Sequence, residues 1–150
     1  MQLLPAEPLV PHRGSMRLLD GVWTPTGDGI QAESMVTEKW PLARDGTVSP
    51  LICVELAAQA ISALSTWRRG EGARPRVGLL VGIKEAEFSA ARIPVKTRLI
   101  VQMGKLYQIG NYAVFQGQVR SEWACFCKIT VQVMEPEEDL LSNLKAWHRT

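Results

Sequence analysis

The chain has 150 residues, 46% of them apolar, with 17 basic and 15 acidic side chains and a formal net charge of +2. That length suits one domain with a real core and leaves little room for a second. The near-balance of charge argues against a broad nucleic-acid or membrane-binding surface, which needs clustered Lys and Arg. No apolar run approaches the roughly 20 residues of a membrane-spanning helix.

Residues 1–11 are punctuated by Pro5, Pro8 and Pro11 and lack a positively charged opening, a poor match to a signal peptide. The expected location is therefore the cytoplasm, with residues 1–8 as an N-terminal extension. Segments 18–23 and 30–36 have strand character and flank the turn residues Gly27, Asp28 and Gly29. Ser49 and Pro50 then offer a helix cap followed by Pro at the first helical position. Residues 51–67 contain neither Gly nor Pro and are apolar over most of the circumference, which predicts a buried helix. Arg68 and Arg69 complement its C-terminal dipole, and Gly70 supplies a stop.

Four further strands are expected over 76–88, 97–103, 112–120 and 123–134, with Gly110 and Asn111 turning the chain between the later ones. Pro136 cannot donate to a sheet, so the last strand stops before it. Residues 136–150 form a C-terminal tail in which 140–147 reads as a short helix. Cys53, Cys125 and Cys127 make an odd count with no second pair or His cluster, so buried reduced thiols are expected and no metal site. There is no internal repeat and no composition break. Strands, one long buried helix and then consecutive strands indicate an α+β fold with an antiparallel sheet, in one domain spanning 1–150.

Glu55, Gln59, Ser62 and Thr66 interrupt the apolar helix at spacings that place them on one face. Two readings are open. The stripe is the wet side of an amphipathic helix, or it is the wall of a functional cleft. Its narrowness and its small or apolar neighbours Ala58, Ile61 and Ala63 suit the second. A carboxylate in a dry cleft is a natural proton carrier.

Two motifs carry a resemblance. The run Leu9-Val10-Pro11-His12-Arg13-Gly14-Ser15-Met16-Arg17-Leu18-Leu19-Asp20 is similar to the early Pro-His-Arg segment of the 3-hydroxyacyl-acyl-carrier-protein dehydratases. The run Pro50-Leu51-Ile52-Cys53-Val54-Glu55-Leu56-Ala57-Ala58-Gln59-Ala60 resembles their central-helix signature, a catalytic carboxylate followed four residues later by Gln. Residues 77–83 resemble a Gly-flanked strand of a divergent subgroup found near polyene and other specialised acyl-chain clusters.

The resemblance implies a hot-dog fold, a curled antiparallel sheet wrapped around one helix. It implies Glu55 as the catalytic carboxylate, and Gln59, Pro50 and Leu51 as substrate-binding positions, with backbone N–H groups at the helix start polarising a thioester carbonyl. No cofactor is expected beyond the phosphopantetheine of an acyl carrier protein or CoA that carries the substrate. His12 is taken as a structural member of the Pro-His-Arg segment.

In the subgroup a His-Pro dipeptide precedes the Arg-Asp-Gly turn that leads to the helix. Here Trp40 and Pro41 stand there, before Arg44, Asp45 and Gly46. An indole N–H donates but cannot accept a proton, so Trp40 is no base. It is expected instead as a core or interface aromatic, and as a substrate-contacting residue that narrows the tunnel mouth within contact distance of a Glu55, by preference that of a second subunit. Three functions stay open: a dehydratase, an acyl-thioester hydrolase using the lone carboxylate, and a non-catalytic partner of a complete dehydratase. A homodimer or higher homo-oligomer is expected, or a heteromer with a paralogous dehydratase, joined through an edge strand over 77–84.

Overall fold

The computed structural model describes residues 2–76 and 79–135. Among these residues ten strands and one α-helix follow in the order β1 (Leu3–Pro5), β2 (Gly21–Trp23), β3 (Gly29–Met35), β4 (Ala43–Arg44), β5 (Thr47–Val48), α1 (Ile52–Arg68), β6 (Leu79–Phe88), β7 (Ile93–Pro94), β8 (Arg98–Ile109), β9 (Tyr112–Arg120) and β10 (Cys125–Met134). Seven of the strands form one sheet in the order β1-β2-β3-β8-β9-β10-β6, and β4, β5 and β7 form a small second sheet. Every neighbouring pair is antiparallel. The large sheet curls around α1, the hot-dog arrangement.

Helix α1 is buried by alternation on the strands that face it. Leu99, Val101 and Met103 of β8 point inward between half-exposed neighbours, and they pack with Leu56, Ala60 and Leu64 of the helix. Removing each of the two helix leucines from water is worth roughly 2 kcal/mol. The helix begins at Ile52, two residues after the Pro50 that the sequence offered as its first position, because residues 49–53 make a tight turn ahead of it, with Ile52 N–H donating to Ser49 O and Leu51 N–H to Ser49 Oγ. It ends as expected: Gly70 takes a φ of 98°, a left-handed conformation open to a residue without Cβ.

The strands of the large sheet match the expected ones with two extensions, while the short strands β4, β5 and β7 of the second sheet were not expected. β8 runs on to Ile109, so β8 and β9 form a long hairpin closed at Gly110 and Asn111. Leu3–Pro5, placed by the sequence in an extension, pairs with Gly21–Trp23 and forms one edge of the sheet. Close approach of β8 and β9 requires Gly117, where a Cβ would collide with the carbonyl oxygen of Gln102. The tail over 136–150 and its expected helix lie outside the described residues, as do Val77 and Gly78 at the start of the expected edge strand.

Among the described residues β6 is the other edge, bonded to β10 alone. Its register sets Leu80, Ile83, Ala86 and Phe88 opposite Val133, Val131, Ile129 and Cys127. The β10 partners Val131, Ile129 and Cys127 are buried, whereas Leu80, Ile83 and Phe88 are exposed. Cys53 and Cys127 are buried free thiols and Cys125 is a half-buried one. The hydrogen-bonded sulfur of Cys127, together with burial, pushes the Cys53 thiol well above the ordinary thiol range. Among the described residues no helix is long and apolar enough to cross a membrane.

Candidate active site

The polar stripe of α1 does not face water as a unit. Gln59 and Thr66 are buried, while Glu55 and Ser62 line a cleft of about 780 Å³ beside the helix. Ala58, Ile61 and Leu64 of α1 and Ala113, Phe115 and Val133 of the sheet supply its apolar walls. Arg68, Arg69, Arg76 and Lys105 stand at the end near the helix C-terminus. Arg68 pairs there with Asp28 at 2.8 Å. Among the described residues no group of His, Cys, Asp or Glu is arranged to hold a metal ion.

Glu55 is reached by a residue that the sequence reading set aside. His12 Nε2 lies 3.1 Å from Glu55 Oε1, and both residues line the cleft. Their side chains are 28% and 39% exposed, so the pair sits at the wall rather than in open solvent. His12 Nδ1 is buried and has no hydrogen-bond partner among the described residues. His12, read from the sequence as a structural member of the Pro-His-Arg segment, thus stands in contact with the helix carboxylate. Forty-three residues separate it from Glu55, a separation over which no periodicity argument reaches.

Gln59 does not contact the cleft. Its side chain is fully buried behind Glu55, where Oε1 accepts the N–H of Leu18 at 2.9 Å and that of Leu19 at 3.4 Å. Those two donors fix which end of the amide is oxygen. The Nε2 end then donates to Met16 O at 2.8 Å and to Glu55 Oε1 at 3.0 Å. One amide thus fastens the 16–19 segment to the helix and orients the carboxylate. Arg13 orders the chain on the other side of His12, its Nη1 donating to the carbonyls of Val10 at 2.7 Å and His12 at 2.8 Å.

The other positions expected at the site lie elsewhere in this chain. Trp40 is 7% exposed in the hydrophobic core and does not line the cleft. The reason is packing: a buried indole contributes a large apolar area to the core. Pro50 and Leu51 do not line the cleft either. The N–H groups expected to polarise a carbonyl are occupied locally. Leu51 donates to Ser49 Oγ at 3.3 Å, Ile52 to Ser49 O at 3.1 Å and Cys53 to Pro50 O at 3.0 Å.

A carboxylate and an imidazole in contact can take a proton from one atom and deliver one to another, the requirement for removing water across a carbon–carbon bond. Comparisons with known proteins show the fold and the family. The ApeI:P dehydratase heterocomplex of Xenorhabdus doucetiae superposes with a TM-score of 0.81 at 23% identity, over 94% of this chain and 97% of that one. The thioesterase HI1161 of Haemophilus influenzae shares the fold at a TM-score of 0.56 and 19% identity, over 76% of each chain. The phenylacetic acid degradation protein PaaI of Thermus thermophilus does so at 0.58 and 16%, over 77% of this chain and 91% of that one. No curated protein matches the chain. The model of the ApeP dehydratase family matches residues 4–145, nearly the whole sequence, and the chain belongs to that family.

Proposed function

We propose that the protein is a dehydratase of 3-hydroxyacyl thioesters, with Glu55 and His12 as its proton carriers. The contact of His12 Nε2 with Glu55 Oε1 on the wall of a largely apolar cleft carries this reading. His12 takes the proton from the carbon next to the thioester carbonyl. Glu55, as the carboxylic acid, gives its proton to the hydroxyl leaving the next carbon, and water departs as the double bond forms. Gln59 holds the carboxyl group in place through the reaction. The acyl chain lies along Ala58, Ile61 and Phe115. The thioester is carried on the phosphopantetheine of an acyl carrier protein or of CoA, and the protein needs no cofactor of its own.

The exposed apolar face of β6 supports assembly through that edge, with a second copy or with a paralogous dehydratase. The Xenorhabdus heterocomplex makes the second arrangement a natural one to test. Hydrolysis of the thioester is the competing reaction on this fold. It needs one activated water and no second proton carrier, whereas this cleft presents two carriers in contact. Supplying 3-hydroxyacyl and saturated acyl thioesters on both carriers and following enoyl product against free acid decides between them. Release of acid without enoyl product overturns the dehydratase reading.

A further inference from the structure

We infer that the acidic run Glu137-Glu138-Asp139 of the chain's own C-terminal segment docks on the basic end of the cleft, and that the apolar residues following it cover the adjoining wall. The inference goes beyond the dehydratase reading and does not depend on it, because it concerns what occupies the end of the cleft away from Glu55.

Three observations carry it. The first is charge. Among the described residues lining that end, Arg68, Arg69, Arg76 and Lys105 are basic and Glu135 is the acid. Asp28 pairs with Arg68 at 2.8 Å and stands 3.9 Å from Lys105, so one carboxylate serves two of the cations. A surface of that sign attracts an acidic segment tethered beside it.

The second is the path of the chain. Met134 and Glu135, at the end of β10, already line the cleft. Glu135 N–H donates to Asn111 O at 3.0 Å, and Ser65 Oγ donates to Glu135 Oε1. The chain thus leaves the sheet against the helix, one turn before Arg68 and Arg69. Pro136 has no N–H with which to continue the ladder. Residues 137–139 come two to four positions after Glu135, a reach of about 7–14 Å, against about 5.4 Å for the helical turn to be crossed.

The third is order. Leu140, Leu144 and Trp147 follow the acids at spacings of four and three, which share one side at helical periodicity. Beside Ser65 and Glu135 in the chain, the wall offers Leu64, Val133 and Met134. An acidic run followed by apolar residues therefore meets a basic end next to an apolar wall. Thirteen residues, about 20 Å of helix, separate Glu55 from Arg68, so docking leaves the Glu55 end open and shortens the cleft from the other.

Two measurements on the full chain test this, and neither uses turnover. A water-soluble carbodiimide joins an amine to a carboxylate in contact with it. Peptide mapping of the one-chain band should find Lys105 joined to Glu137, Glu138 or Asp139, with the Lys105–Asp28 link as the control. The control link without any to residues 137–139 overturns the inference. A link to them found only in a two-chain band also overturns it, by placing the segment on a neighbouring copy.

The second measurement is uptake of N-phenyl-1-naphthylamine, a neutral apolar fluorophore whose entry charge does not steer. The variant carrying Glu137→Gln, Glu138→Gln and Asp139→Asn should bind it about threefold or more tightly than the wild type, the size expected from losing three partly exposed ion pairs. Added salt should bring the wild type toward the variant. Circular dichroism checks the fold, and Arg68→Gln, which should give a smaller rise of the same sign, stands in for a variant that misfolds. Equal affinity of the folded variant and the wild type leaves the basic end to a separate anionic ligand and overturns the inference.

Discussion

The side-chain oxygen of Gln59 accepts the backbone N–H of Leu18 at 2.9 Å while its nitrogen donates to Glu55 at 3.0 Å, so one buried amide links the start of the sheet to the candidate catalytic carboxylate. Replacing it by an apolar side chain leaves the Leu18 N–H and the Met16 carbonyl without partners. Each stranded group costs about 1–3 kcal/mol, so Gln59→Leu should destabilise the protein by roughly 3 kcal/mol. Urea unfolding checks this, and a loss under about 1 kcal/mol would show that water or another side chain takes over the bonds.

Glu55→Gln keeps the shape of the side chain but cannot carry a proton. Dehydration by this variant should fall about a hundredfold or more, while stability changes little, because the residue stands at a cleft wall. The measurement is kcat on a 3-hydroxyacyl thioester beside a thermal melt. Turnover within a few-fold of wild type would remove Glu55 from the mechanism.

Trp40→His introduces at the family position the group that the resemblance expects. In this fold the position is core, so the substitution exchanges a large apolar ring for a smaller polar one inside a packed interior. The expected outcome is a loss of about 3 kcal/mol or more and no gain in dehydration. Increased turnover in a folded Trp40→His variant would show that position 40 still reaches a catalytic carboxylate, that of a second subunit.

The Cys53 thiol stays protonated in the folded chain because Cys127 and burial hold it up, whereas in the unfolded chain it ionises near the ordinary thiol value of ~8.5. Above that pH the unfolded state binds fewer protons than the folded one. Stability contributed by the neutral thiol is therefore full below pH ~8.5 and declines as pH rises beyond it. Denaturant midpoints between pH 7 and 10 should fall in the wild type, and Cys53→Ala should flatten that fall. An equal slope in both proteins would assign the alkaline loss to other groups.

Ile83 is the exposed residue at the middle of the apolar face of β6, opposite buried Val131. Ile83→Lys places a charge on an open edge, a device that blocks strand pairing. Sedimentation should show the variant shifted to the monomer at concentrations where the wild type associates. An unchanged oligomer would place the interface elsewhere on the molecule.

The helix, its end at Gly70, the turn at Gly110 and the order of the later strands were legible in the sequence, because each depends on local chemistry. Caps, stops, turns and periodicity act over a few residues, and a window of that size contains everything they need. The helix carboxylate was legible for the same reason, as a single acid among apolar neighbours on α1.

The partner of that acid was not. His12 sits in a loop with no periodic pattern, and whether it packs, binds or reacts depends on the curl of the sheet that brings residues 12 and 55 together. The one hint was scarcity, since the chain has only two histidines. Trp40 was read both as a core or interface aromatic and as a site residue, and its surroundings place it in the core. Gln59 was placed on the correct helix face yet points behind the carboxylate rather than into the cleft, because the unpaired N–H groups of Leu18 and Leu19 attract its oxygen. Local propensity decides elements; contacts between residues far apart in the chain decide which side chains meet, and those contacts exist only once the sheet has closed around the helix.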